Sequence, residues 1–137
     1  MLISAHRAEL PRHQAARDAL KNLTEGLQPW GLPIFCIAEF VRVVTHIRVF
    51  DPPTSLDQAL RFVEALLAAP TLRLLSPGPR FPELFDLCAR RGDARGNLAF
   101  DAQIAAVCLE HGARDLWTLD RDFSRFPDLR PNPDFGR

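Results

Sequence analysis

The stretch from Asn97 to Asp122 constrains this chain more than any other. Asn97 is a fair N-cap, the apolar run behind it has helical spacing as far as His111, Gly112 is a C-terminal stop, and Leu116-Trp-Thr-Leu reads as a short apolar strand. A helix from Asn97 to His111 runs about 22 Å at 1.5 Å per residue, and a tight glycine turn brings the chain back antiparallel to it. The start of the helix and the end of the strand then share one edge, so the chain must pack helices on a sheet.

That geometry gives the acids at both ends a meaning. Asp101 falls in the first turns of the helix with Leu98, Ala105 and Cys108 on its own face, so it is expected to point toward the sheet. Asp120 follows the strand directly, at the carboxyl edge where open α/β sheets build their sites, and Asp122 lies just beyond it. Glu39 enters the same edge if Ile34-Phe-Cys-Ile is a short strand, or a lead-in, that ends where the next helix begins. Like charges gathered this way shift one another's protonation or recruit a cation, and an oxygen-only donor set favours Mg²⁺ or Mn²⁺ over zinc. None of the 4 His residues makes a ligand spacing with Cys or another His. Plainer roles stand beside these: a favourable helix dipole for Asp101, an ion pair with Arg42 or Arg48 for Glu39, and turn formation around Arg121 for Asp120 and Asp122.

The rest of the chain alternates helical and extended patterns without repeats. Helices are expected over His13 to Glu25 (with Leu27 on the same stripe and Gly26 as a stop), Ala38 to Ile47, Leu56 to Ala69 and Arg80 to Arg91. Thr54 or Ser55 can cap the third of these, and Leu56, Ala59, Leu60, Val63, Leu66 and Leu67 make its apolar stripe. Thr71 to Ser76 reads as a strand, Ser76-Pro-Gly-Pro as a turn, and the tail from Phe126 as Pro-rich and irregular. These patterns predict a layered α/β domain with a mainly parallel sheet. At 137 residues, 47% of them hydrophobic, the chain has material for one core, so residues 1–137 are expected to form a single domain.

Charge and cysteine content exclude several classes. Lys plus Arg balances Asp plus Glu at 17 each, so no global field steers the protein onto nucleic acid or anionic lipid, and any polyanion binding must be local. Every basic residue but Lys21 is Arg, which suits phosphate contacts but also follows from a GC-rich genome. Cys36, Cys88 and Cys108 form no Cys-x-x-Cys, and their odd number speaks for buried thiols in a reducing compartment. His6, Arg7 and Glu9 cut short any signal-peptide core, and Glu39 and Asp101 interrupt the best apolar runs. A cytoplasmic protein with no membrane segment is the expectation.

Gly96-Asn-Leu-Ala-Phe-Asp-Ala-Gln-Ile-Ala-Ala, Glu110-His-Gly-Ala and Thr118-Leu-Asp-Arg-Asp-Phe-Ser-Arg-Phe-Pro resemble the C-terminal half of PIN-domain ribonucleases of the VapC toxin type. Glu39-Phe-Val-Arg-Val-Val-Thr resembles the Glu-bearing helix of that family, and Arg48-Val-Phe followed by Pro fits as well. The resemblance covers nearly the whole chain. It implies a three-layer α/β/α PIN-like domain and a Mg²⁺- or Mn²⁺-dependent endoribonuclease, the hydrolase toxin of a toxin–antitoxin pair. In such enzymes an acid cluster holds one or two divalent ions that orient water for in-line attack on an RNA phosphodiester. By position, Asp101 is implied as the leading metal ligand, Glu39 as support for the metal or its water, and Asp120 as the acid completing the cluster. Asp122 is a weaker ligand, with Thr118 and Asn97 as supporting residues. Arg42, Arg121 and Arg125 are candidates for substrate phosphates. The implied partners are a VapB-type antitoxin, an RNA substrate and a second copy of the chain in a homodimer.

The sequence departs from the family pattern at its start. Members open with an apolar strand ending in Asp-x-Asn, just before a segment like Leu2-Ile-Ser-Ala-His; here Met1 falls after that motif and no acid precedes Glu9. The first strand is expected to shrink to at most Met1 to Ile3, against a usual length of about 5 to 6 residues. Either the chain continues upstream of Met1, or it is a catalytically impaired relative that binds an antitoxin or dimerises without cutting RNA. His46, often Asn in the family, is a lesser departure. A phosphatase or DNA-directed nuclease on a similar acid-edged sheet explains fewer of the matched segments.

Overall fold

The structure, a computed structural model, describes residues 1–132. The end of the Pro-rich tail therefore lies outside the described residues. Cα packing divides the chain into two compact units, Met1–Leu74 and the residues from Leu75 onward.

In the first unit, helices α1 (Leu2–His6), α2 (His13–Glu25), α3 (Phe35–Val44) and α4 (Leu56–Leu67) accompany strand β1 (Trp30–Pro33), which pairs in a two-stranded sheet with β2 (Leu72–Leu75). The core is built where α3 meets α4: Phe40, Val44, Ala59 and Val63 are buried, and Leu2, Ile3, Ile37, Val41, Phe50 and Phe62 pack on them. Ser55 starts α4 by accepting the Gln58 N–H at 3.2 Å while the Gln58 side chain accepts the Ser55 N–H at 3.4 Å, a reciprocal capping box. Thr54, one residue earlier, is buried and holds α1 to this loop: its hydroxyl lies 3.1 Å from His6 Nε2 and accepts from Arg7 Nη1 at 3.0 Å.

The second unit carries α5 (Phe81–Arg91), α6 (Leu98–Glu110), β3 (Asp115–Leu116), a 3₁₀ turn (Arg121–Arg125) and β4 (Arg130–Pro131). Strands β3 and β4 are parallel, with Asp115 opposite Arg130 and Leu116 opposite Pro131. Helix α6 packs on α5 and is buried over nearly its whole girth, from Ala102 and Ile104 to Cys108. Both helices end in the same way. The Ala113 N–H reaches back to the Cys108 carbonyl at 3.0 Å around Gly112 (φ 75°), and the Ala94 N–H reaches the Ala89 carbonyl at 2.9 Å around Asp93 (φ 44°).

The α/β class and the helix order follow the sequence expectation, but several details differ for physical reasons. Met1 to Ile3 opens a helix and not a truncated strand: the Ala5 N–H donates to the Met1 carbonyl at 2.9 Å, and Leu2 and Ile3 face the α3–α4 core. Of the two readings of Ile34 to Ile37, the lead-in is the one found: the segment enters α3, and the strand precedes it. The strand expected over Leu116 to Leu119 pairs only at Asp115 and Leu116, because its partner β4 is two residues long. Arg130–Pro131, within the Pro-rich tail that the sequence predicts to be irregular, supplies that partner. Leu27 and Ile47 fall beyond the ends of α2 and α3 and are 94% and 75% exposed. The α4 stripe is too wide, since Ala59, Val63 and Leu66 are buried while Leu56, Leu60 and Leu67 stay exposed. Asn97 occupies the α6 N-cap position in α-helical backbone and makes no side-chain cap bond. Among the described residues, no helix is long and apolar enough to cross a membrane.

Candidate metal centre

The most exposed part of helix α6 is its first turn. Asn97 and Phe100 are exposed and Asp101 is half-buried, whereas Ala102 and the residues from Ile104 to Cys108 are buried. The Gly112 turn then returns the chain past the same end, and the 3₁₀ turn packs on α6. One carboxylate oxygen from each of Asp101, Asp120 and Asp122 lies within 4.8 Å of the other two. The three acids thus meet at the start of α6, although β3 ends at Leu116 and Asp120 lies four residues beyond it and not directly after a strand.

The segment that presents Asp120 and Asp122 is held by its own hydrogen bonds. The Asp120 N–H donates to the Thr118 hydroxyl at 3.0 Å, and Asp120 Oδ1 accepts the Asp122 N–H at 2.9 Å, capping the 3₁₀ turn. Turn formation around Arg121 and membership of the acid group thus coexist in Asp120. Behind the turn, Phe123, Phe126 and Leu129 are buried. Phe126 lies so close to Gly92 that a Cβ there would come 2.7 Å from its ring. Arg91 closes the far side by donating to Asp128 at 2.6 Å.

Three like charges at this spacing repel, each pair by roughly 1 kcal/mol in a water-like dielectric and about four times that at an effective dielectric of 20. Arg125 Nε lies 4.0 Å from Asp122 Oδ1 with both side chains about half exposed, a weak pair. Arg121 is exposed. The donor set is hard oxygen with no His or Cys in it. Octahedral Mg²⁺–oxygen bonds of about 2.0 to 2.1 Å put neighbouring ligand oxygens about 3 Å apart and opposite ones about 4.2 Å apart. Modest side-chain rotation would close these three oxygens onto one such ion, so the residues fit a divalent metal.

The other expected residues are placed as follows. Glu39 and Arg42 are exposed on α3 in the first unit, and among the described residues no ion pair joins Glu39 to Arg42 or Arg48. His46 is exposed and accepts the Arg48 N–H at its Nδ1 at 3.0 Å, which stabilises the loop after α3. Thr118 supports Asp120 as described; Asn97 supports nothing through a cap bond.

Sequence reasoning missed two features of this unit. Glu110, at the far end of α6 from Asp101, accepts the Gly78 N–H at 2.6 Å and the Arg80 N–H at 2.8 Å, while His111 Nε2 donates to the Ser76 carbonyl at 2.7 Å. The Glu110-His-Gly segment is thus a clamp on the loop before α5. Phe100 is the other: it is 62% exposed beside Asp101.

Comparison with known proteins places these observations. The PIN domain family matches residues 1–129. The chain is similar to the VapC ribonuclease Mb2897 of Mycobacterium bovis, at 45% identity over 130 residues, covering 95% of this chain and 88% of that protein. Ribonuclease VapC43 of Mycobacterium tuberculosis is similar to the same extent. Ribonuclease VapC25 of Mycobacterium tuberculosis is 36% identical over 95% of this chain and 91% of its own length.

Proposed function

The chain belongs to the PIN-domain family, among its VapC ribonucleases, and from that premise we propose that it is a divalent-metal-dependent endoribonuclease, the toxin of a toxin–antitoxin pair. The observation that carries this is the meeting of Asp101, Asp120 and Asp122 within 4.8 Å at the open end of α6. The function fits one PIN domain over the length of the chain, acting in the cytoplasm as a homodimer silenced by a VapB-type antitoxin.

Each residue has a role in this reading. A bound Mg²⁺ or Mn²⁺ would supply Lewis-acid stabilisation of the scissile phosphodiester and an activated water. Asp101 holds the ion from the rigid, buried α6, so its position is set by the core of the unit. Asp120 holds it from the return segment, where the bond from the Asp122 N–H fixes the rotation of the carboxylate. Asp122 adds a weaker third ligand. Glu39 keeps the supporting role that its motif implies, and Arg42, Arg121 and Arg125 supply charge for RNA phosphates.

The test is cleavage of RNA in Mn²⁺ by the chain and by Asp101→Asn. Cleavage that stops with Asp101→Asn and with a chelator supports the reading; equal cleavage by both proteins overturns it. Antitoxin binding without any cleavage would favour an impaired relative that acts by sequestering its partner.

A further inference from the structure

We propose that Phe100 is a stacking platform for one unpaired base of the RNA, set beside the acid cluster so that it selects which nucleotide lies next to the scissile phosphate. This rests on the ribonuclease reading and adds a specificity residue to it. Among the described residues every other Phe is buried or half-buried, and both Trp residues are half-buried; Phe100 alone is exposed, at 62%. It stands in the first and most exposed turn of α6, immediately before Asp101. Phe100 and Asp101 are consecutive, so their Cα atoms are about 3.8 Å apart and the two side chains leave the helix about 100° apart, on adjoining faces of its first turn.

The surroundings favour a base over a protein partner. On α6 the neighbours of Phe100 at three residues' spacing are polar, Asn97 exposed and Gln103 half-buried, and exposed Arg95 precedes them. Arg95 pairs with Asp93 at 2.9 Å, so Phe100 is one aromatic face in a polar rim, not the contiguous apolar patch that marks a protein interface. Single-stranded RNA is bound by stacking splayed bases on such rings, with amide side chains in reach of the base edge.

The test uses a short single-stranded RNA carrying 2-aminopurine, whose fluorescence is quenched on stacking. Asp101→Asn protein keeps the RNA intact and is compared with the Asp101→Asn/Phe100→Ala double variant. The first is expected to quench the probe, and the second to lose the quenching and bind about tenfold more weakly, within the range of one base–aromatic stack. Phe100→Trp in the same background should restore both. In the cleaving protein, Phe100→Ala should raise KM and change the preferred nucleotide. Unchanged quenching and affinity in the double variant, or absence of quenching by the Asp101→Asn protein, overturns the stacking role. So does a Phe100→Ala effect confined to self-association or antitoxin affinity. The ribonuclease reading fails separately, through Asp101-independent cleavage or none.

Discussion

Glu110 fills the space that a side chain at Gly78 would need. Its carboxylate accepts two backbone N–H groups at 2.6 and 2.8 Å, from Gly78 and Arg80, and a Cβ on Gly78 would sit 2.7 Å from its Oε2. A helix end is thereby tied to a loop 30 and 32 residues earlier in the chain. This acid holds two backbone donors at the entry to α5, whereas at the other end of α6 Asp120 holds one, the Asp122 N–H.

Gly78→Ala should displace the Glu110 carboxylate from at least one of its donors. Glu110→Gln should leave one N–H facing an amide NH₂ in place of an oxygen. Each is expected to lower stability by about 1 to 2 kcal/mol, the scale of a lost charge-assisted hydrogen bond, read as a drop of a few degrees in Tm. Mn²⁺ affinity measured by titration should stay unchanged, since the acid group is at the opposite end of the helix.

For the acid group the two substitutions at Asp120 separate charge from turn formation. Asp120→Asn keeps an oxygen for the Asp122 N–H, while Asp120→Ala keeps neither that bond nor the charge. Both should lose Mn²⁺-dependent cleavage by on the order of a hundredfold or more, above the usual cost of losing a residue that merely supports a ligand. Only Asp120→Ala should also lose about 1 kcal/mol of stability, as a lost cap does. Equal Tm losses in the two variants would contradict the turn role.

Gly92→Ala should be costly for want of space. The backbone there has an ordinary φ of −87°, but the new Cβ would stand 2.7 Å from the Phe126 ring and 3.2 Å from the Cys88 carbonyl. Phe126 is buried and cannot swing out without opening the core behind the acid-bearing turn. A loss of about 1 to 3 kcal/mol in denaturant unfolding is expected, the cost of overpacking. Phe126→Leu in the Gly92→Ala background should recover part of it.

His6 should make stability depend on pH. Burial against Phe40 and Phe62, and then the charge of Arg7, hold its imidazole below the ordinary value of 6.5, against a smaller opposing pull from Glu9. As pH falls through 6.5 the unfolded chain takes up the proton while the folded His6 stays neutral, so the unfolded state binds more protons and stability declines toward the folded pKa. With Arg7 already donating to Thr54, the Thr54 hydroxyl proton is left for the neutral ring. His6→Gln should flatten the stability difference between pH 7 and pH 5; an unchanged difference would exclude His6 as its source.

The buried thiols should be silent in the native protein. Burial, and to a lesser extent Cys88, push the Cys108 thiol up to about 12, leaving it about one part in ten thousand thiolate at pH 8. Iodoacetamide should label Cys108 only in denaturant, whereas labelling at the native rate of a free thiol would show that the α5–α6 contact opens.

Much of the acid group is legible in the sequence because it is local. Asp101 and Asp120 are separated by one helix, one glycine and one short strand, so helical rise and the Gly112 turn bring them together with little help from the rest of the chain. The family likeness was legible for the same reason, being carried by short contiguous motifs around Asp101, Glu110 and Asp120. Wrong or incomplete expectations clustered where periodicity is silent. Met1 to Ile3 is too short to show a period, and only packing on Phe40 and Val44 decides for a helix. Leu56, Leu60 and Leu67 carry the same apolar signal as Val63, yet only one side of α4 meets α3.

What the sequence determined by itself is the order of helices and turns, their glycine and serine punctuation, and the edge on which Asp101 and Asp120 meet. These depend on hydrogen bonds and rises within some twenty residues, which local residue types dictate. Only the tertiary structure decided that Glu110 is a clamp, that Gly92 makes room for Phe126, and that Phe100 stands in solvent next to the acid group. Each of those depends on which surfaces are left after distant segments have packed, and burial is a property of the whole fold that no local pattern records.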